Sequence, residues 1–187
     1  GTTKGRVMRS LDRGLHWTIA QATTPSENIE TIAFTDSLNG VAATSGLNYT
    51  KLRQTADGGQ TWTQQVTNTI QKLVDVQKID VLNTIVIGEN GTMLRTSNNG
   101  DSWIIQSAEI KFNLSKVCFI DTAKGIVVGD FGTIIQTKNG GEHWNILTKG
   151  STNKIYSASF CTALIGIAVG ANGNILKTID GGDNWEV

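Results

Sequence analysis

Net charge is the first thing this chain lacks: 16 lysines and arginines stand against 16 aspartates and glutamates in 187 residues. No basic cluster interleaves with aromatics, which argues against nucleic acid and acidic membranes as partners. Long apolar runs are missing too, and none approaches the roughly 20 residues that a helix needs to span a bilayer. Histidines and cysteines number two each. No Cys-x-x-Cys or His-x-x-x-His spacing occurs, so no metal site is expected. A Gly-x-x-x-x-Gly-Lys phosphate loop is absent, and no cofactor is expected. Nor does any i, i+3, i+4 apolar stripe persist, which removes amphipathic helices as building blocks.

What is present is a repeat. The stretches "SLDRGLHW", "TADGGQTW", "TSNNGDSW", "TKNGGEHW" and "TIDGGDNW" share one pattern: Ser/Thr, any, Asp/Asn, any, Gly, any, any, Trp. The key positions are Ser10, Asp12, Gly14 and Trp17; Thr55, Asp57, Gly59 and Trp62; Thr96, Asn98, Gly100 and Trp103; Thr137, Asn139, Gly141 and Trp144; and Thr178, Asp180, Gly182 and Trp185. All five tryptophans of the chain fall in register, at spacings of 45, 41, 41 and 41 residues. A fixed period of this size marks a repeat architecture.

Each period carries four short runs rich in Val, Ile, Phe and Thr, separated by Asn-Gly and Gly-Gly turns. That composition suits strands joined by tight hairpins. Four antiparallel strands in about 40 residues make one propeller blade. The expected fold is therefore an all-β propeller of four-stranded antiparallel blades, with about 4.5 to 5 blades in this chain. Blade boundaries fall near 1–27 (partial), 28–68, 69–109, 110–150 and 151–187. An open ring would leave sheet edges exposed. The expectation is thus a fragment of a larger ring, or closure with one thin blade or another copy of the chain.

Five copies of the acidic box argue for joinery. A hydroxyl and an Asp/Asn side chain can both bond nearby backbone N–H groups and fix a turn. The glycine supplies positive φ, and the indole can bury a flat face between sheets. Asn98 and Asn139 cannot serve as acids at all. Asp36, Asp80 and Asp121 likewise share one repeat position, before the turn from first to second strand, and read as turn residues.

The box resembles the Asp-box, or bacterial neuraminidase repeat. The longer stretches "GIAVGANGNILKTIDGGDNW" and "GIVVGDFGTIIQTKNGGEHW" resemble the photosystem II stability/assembly factor family and related secreted bacterial propellers. That resemblance covers nearly the whole chain. It implies a non-catalytic scaffold for protein binding or complex assembly, in an extracytoplasmic compartment such as a periplasm or thylakoid lumen. The alternative is a carbohydrate-active module, sialidase-like, hydrolytic or glycan-binding, whose catalytic groups lie outside this chain. A sialidase would need an arginine cluster and a Tyr–Glu nucleophile pair. The chain has only Arg6, Arg9, Arg13, Arg53 and Arg95, and only Tyr49 and Tyr156. No catalytic residue is assigned.

Residues that differ between blades are the better candidates for function. The loops from second to third strand read "SGLNYTK", "ENG", "DFG" and "ANG". Together with the blade-to-blade connections, which add Lys111 and Phe112, they form one face of a propeller. Tyr49, Glu89, Asp130 and Phe131 are the candidate binding residues there, aromatic anchors beside an acidic edge. Arg9 and Arg95, aligned with Gln54, Gln136 and Lys177, read as a solvated face of the third strand. Cys118 and Cys161 lie one residue out of step and read as buried free thiols. Two departures stand out: Arg53 where other blades are apolar, and Lys78 where they have Phe34, Phe119 and Phe160.

Overall fold

The computed structural model describes residues 5–24, 26–46, 50–106, 109–147 and 152–187. They form five antiparallel sheets, taken up strictly in chain order. The first sheet has two strands, β1 (Arg6–Arg9) and β2 (Thr18–Gln21). The second contains β3 (Asn28–Phe34), β4 (Gly40–Ser45), β5 (Thr50–Thr55) and β6 (Thr63–Gln65). The third contains β7 (Leu73–Lys78), β8 (Thr84–Gly88), β9 (Met93–Thr96) and β10 (Ile104–Gln106). The fourth contains β11 (Leu114–Phe119), β12 (Gly125–Gly129), β13 (Ile134–Thr137) and β14 (Asn145–Ile146). The fifth contains β15 (Ile155–Phe160), β16 (Gly166–Gly170) and β17 (Ile175–Thr178), with a bridge from Lys177 to Glu186 in place of a fourth strand. Each four-stranded sheet is a meander, the blade of a propeller.

The core is a set of layers between successive blades. Side chains alternate across a strand, so the second strand of a blade serves two layers. In β8, Ile85 and Ile87 join Leu114, Val117 and Val127 of the next blade. Val86, between them, joins Val41, Ala43 and Leu52 of the blade before. In β12, Ile126 and Val128 meet Ile155, Ala168 and Leu176 of the last blade. Both faces are buried, which is why these strands read as unbroken apolar runs. In the last blade the matching Ile167, Val169 and Ile175 are 48%, 41% and 58% exposed.

A second device closes the edge of each blade nearest its box. Phe34, Phe119 and Phe160 lie directly across from Gly40, Gly125 and Gly166. Each ring covers its glycine so closely that an added Cβ would sit 2.6, 2.8 or 2.7 Å from it. Each ring also meets the box indole edge-on, at 6.1 Å for Trp62, 6.0 Å for Trp144 and 5.9 Å for Trp185. The third blade has Lys78 across from Thr84 instead. Two positions change together because the ring and the missing Cβ occupy the same space. Lys78 is buried there and donates from Nζ to Asn99 Oδ1 at 3.1 Å.

Candidate binding face

The box turns are built alike. The hydroxyl of Thr55 accepts from the N–H of Asp57 at 3.3 Å and of Gly59 at 2.9 Å, and donates to Asp57 Oδ1 at 2.8 Å. That carboxylate then accepts from the N–H of Thr61 at 2.9 Å. Asn98 and Asn139 accept from the N–H of Ser102 and His143 in the same way, both at 3.0 Å. The turn therefore uses an oxygen and needs no charge. Gly59, Gly100, Gly141 and Gly182 have φ of +86°, +88°, +82° and +85°, where a Cβ would clash. The indole N–H of Trp17, Trp62 and Trp185 donates to the carbonyl of Gly14, Gly59 and Gly182 at 3.0, 3.2 and 3.1 Å.

These bonds favour the ionised carboxylates. The Asn184 N–H holds Asp180 down to about 2. The Thr61 hydroxyl and N–H hold Asp57 lower still. Asp12 is lowered by the His16 N–H. Asp36 is lowered by Asn39, and Asp121 by the N–H groups of Lys124 and Ala123. A general acid for glycoside cleavage needs the opposite shift.

One sequence expectation is corrected here. The third-strand position is not a solvated face at Gln54, Arg95 and Gln136, although Lys177 of the last blade is exposed. Gln54 Nε2 donates to the carbonyl of Asn99. Arg95 Nε donates to the Gly140 carbonyl at 3.1 Å. Gln136, 2% exposed, donates to Asp183 Oδ1 at 2.8 Å and reaches the Gly181 carbonyl at 3.5 Å. Each side chain thus latches onto the box turn of the following blade. Strand alternation alone could not reveal this, because the partner lies about one repeat away. The thiols are corrected too: both are free, but Cys118 is half-buried and Cys161 exposed.

The opposite face carries the loops from second to third strand. In the third, fourth and fifth blades each is a single tight turn centred on a left-handed residue: Asn90 at φ +53°, Phe131 at +55° and Asn172 at +58°. Backbone bonds clamp each turn to the connections. Glu89 N–H donates to Lys72 O, Asp130 N–H to Asn113 O, and Ala171 N–H to Lys154 O, at 2.8, 2.9 and 2.8 Å. Gly91 N–H reaches Phe112 O at 2.8 Å, joining one turn to the next blade's connection.

Of the predicted residues, Phe131 stands 67% exposed, its ring 4.8 Å from that of Phe112. Asp130 pairs with Lys154 Nζ at 3.0 Å and accepts from Asn113 Nδ2 at 3.1 Å. Its charge is therefore matched, and the expected acidic edge shrinks to Glu89. Tyr49 lies outside the described residues.

Glu27 was not anticipated. It is fully buried and holds Lys51 at 2.9 Å and Arg53 at 3.0 Å. Burial alone would raise its carboxyl, but the bonds from Lys51 and Arg53 prevail and hold it low. Arg53, the odd residue of the second blade, was the signal. Among the described residues no group of three or more His, Cys, Asp or Glu could hold a metal.

A family model described as photosynthesis system II assembly factor YCF48 matches residues 10–152. No match is found among curated proteins. Several solved structures share the fold. YCF48 from Cyanidioschyzon merolae is 17% identical with a TM-score of 0.71, over 96% of this chain and 64% of that one. This chain thus spans less than two thirds of that relative's length. A YCF48 bound to D1 peptide is 15% identical with a TM-score of 0.57, over 86% of this chain and 82% of that one. A GH74 xyloglucanase from Xanthomonas campestris is 11% identical with a TM-score of 0.71, over 97% of this chain and 34% of that one.

Proposed function

The chain belongs to the photosystem II assembly factor YCF48 family, and from that premise we propose that it is a non-catalytic propeller scaffold that holds a peptide segment of a partner protein on its loop face. The observation that carries the reading is the contrast between its two faces. The box face repeats one hydrogen-bond pattern in every blade, an Asp or Asn side-chain oxygen accepting from a backbone N–H. The loop face differs from blade to blade. A fixed scaffold with variable loops is the usual division between stability and recognition. The D1 peptide held by a relative of the same fold supports a peptide as ligand. Tyr49, Glu89, Asp130 and Phe131 are the proposed contributors. The compartment that suits this role is extracytoplasmic.

Calorimetric titration of the chain with a synthetic D1 peptide tests the reading, with a scrambled peptide as control. Saturable binding of the authentic peptide alone is the expected result. Equal heats from both peptides would refute D1 as the ligand, and failure of every peptide to bind would refute the scaffold role. The fold likeness to a xyloglucanase favours a second reading, and release of reducing sugar from xyloglucan by the purified chain would establish it.

A further inference from the structure

Two loop-face positions meet in each of the last three blades, and the pair differs in chemistry. In the third blade Asn90 Nδ2 donates to Gln71 Oε1 at 2.7 Å. In the fifth, Asn172 Nδ2 donates to Asn153 Oδ1 at 3.1 Å. In the fourth, the same two places hold Phe131 and Phe112, rings 4.8 Å apart and 67% and 47% exposed. Where the other two blades have an amide pair that locks the turn, this one has a tilted aromatic pair facing solvent.

The aromatic pair is unfavourable for the fold in two ways. Asn adopts the left-handed region with ease, whereas a bulky residue there is an outlier. Phe131 has φ +55° and ψ +36°. Such strain persists where surroundings impose it, and it gathers at binding sites. The exposed rings also leave apolar area in water that a folded chain would gain by covering. The ring contact itself, worth about 0.5–1.5 kcal/mol, offsets only part of these costs.

We infer that Phe112 and Phe131 form the anchor point for an extended peptide segment of a partner protein, taking an aromatic or branched aliphatic side chain onto the paired rings. The inference rests on the scaffold reading above and specifies its site. Two features point to an extended segment with an apolar anchor. The nearest acid, Asp130, is already paired with Lys154, which leaves the rings as the available contact beside it. A groove of about 420 Å³ also begins at the residue before Phe112, lined by Asn90, Thr92, Ile105, Glu109, Ile110 and Lys111. A short run of extended chain fits a space of that size. Ile105, 54% exposed in the outermost strand of its blade, offers a second apolar contact along it. Aromatic residues, Phe among them, are enriched at protein interfaces.

The test uses Phe112→Gln with Phe131→Asn, which installs the amide pair that the third blade already carries on the same backbone. A display library of random linear peptides is selected on the wild-type chain. The expected result is a set of peptides sharing one aromatic or branched aliphatic position, with at least about tenfold weaker binding to the double variant. The variant's melting temperature should be unchanged or higher by about 2–4 °C, as strain is relieved. Equal binding by the two chains, no enriched peptides, or a lower melting temperature would each overturn the inference. If D1 peptide binds both chains equally, the scaffold reading stands and this anchor falls. If D1 peptide binds neither while the library peptides discriminate, the anchor stands and the choice of D1 falls.

Discussion

Replacing Lys78 by Phe should fail alone and succeed with Thr84→Gly. The physical reason is the shared space described for the other blades, where a ring lies across from a glycine with no room for a Cβ. Thr84 is 1% exposed, and its Cβ stands where that ring would lie. Phe at 78 alone must turn away or push the strand, an overpacking cost of about 1–3 kcal/mol. Gly at 84 alone frees a buried strand position and empties the space of the whole threonine side chain, costing about 2–3 kcal/mol. With both changes the clash disappears, the ring covers the glycine, and an edge-on contact with Trp103 becomes available. Such a contact is worth about 0.5–1.5 kcal/mol. The bond from Lys78 to Asn99 is lost in the single and double Phe variants alike and cancels in the cycle. The favourable coupling should therefore reach about 2 kcal/mol or more. Urea unfolding followed by tryptophan fluorescence measures all four corners. Additivity within about 0.5 kcal/mol would refute a shared-space account of the Phe–Gly pair.

Asp180→Asn should flatten the acid limb of the stability curve with little change at neutral pH, because Asn98 and Asn139 already hold the same turn. The Asp180 carboxyl falls from 3.8 to about 2 in the fold. A depressed folded value stabilises above the unfolded pKa and is lost as pH falls through the folded one. The difference between wild type and variant should thus appear between about pH 4 and 2 in a circular-dichroism titration. Parallel curves would contradict it. Arg95→Ala leaves the Gly140 carbonyl without its donor and should cost about 1–3 kcal/mol. Hydrogen exchange should quicken in the Thr137–Trp144 turn and stay unchanged in the Thr55–Trp62 turn. Arg95→Gln should largely restore protection, because Gln54 and Gln136 make the same latch, and failure of that rescue would count against it.

The sequence carried the blade almost whole. Every bond of the box joins residues at most four apart, as from Thr55 to Gly59 or Asp57 to Thr61. A local pattern can therefore announce it. The departures at Arg53 and Lys78 were visible as breaks in the repeat, but their partners were not. Glu27 lies 26 residues before Arg53, and nothing in its neighbourhood marks it as buried. The latch of Arg95 looked solvated because strand alternation counts faces within one blade, and its acceptor Gly140 is 45 residues on.

Taken alone, the sequence determined the strands, the turns and the number of repeats, because these depend on backbone preferences and hydrogen bonds that close within one hairpin. Only the tertiary structure decided which side chains meet across blades. It placed Phe112 of one connection against Phe131 of the next loop, and Lys154 against Asp130. Those meetings depend on how one twisted sheet stacks on another, and no spacing along the chain encodes that.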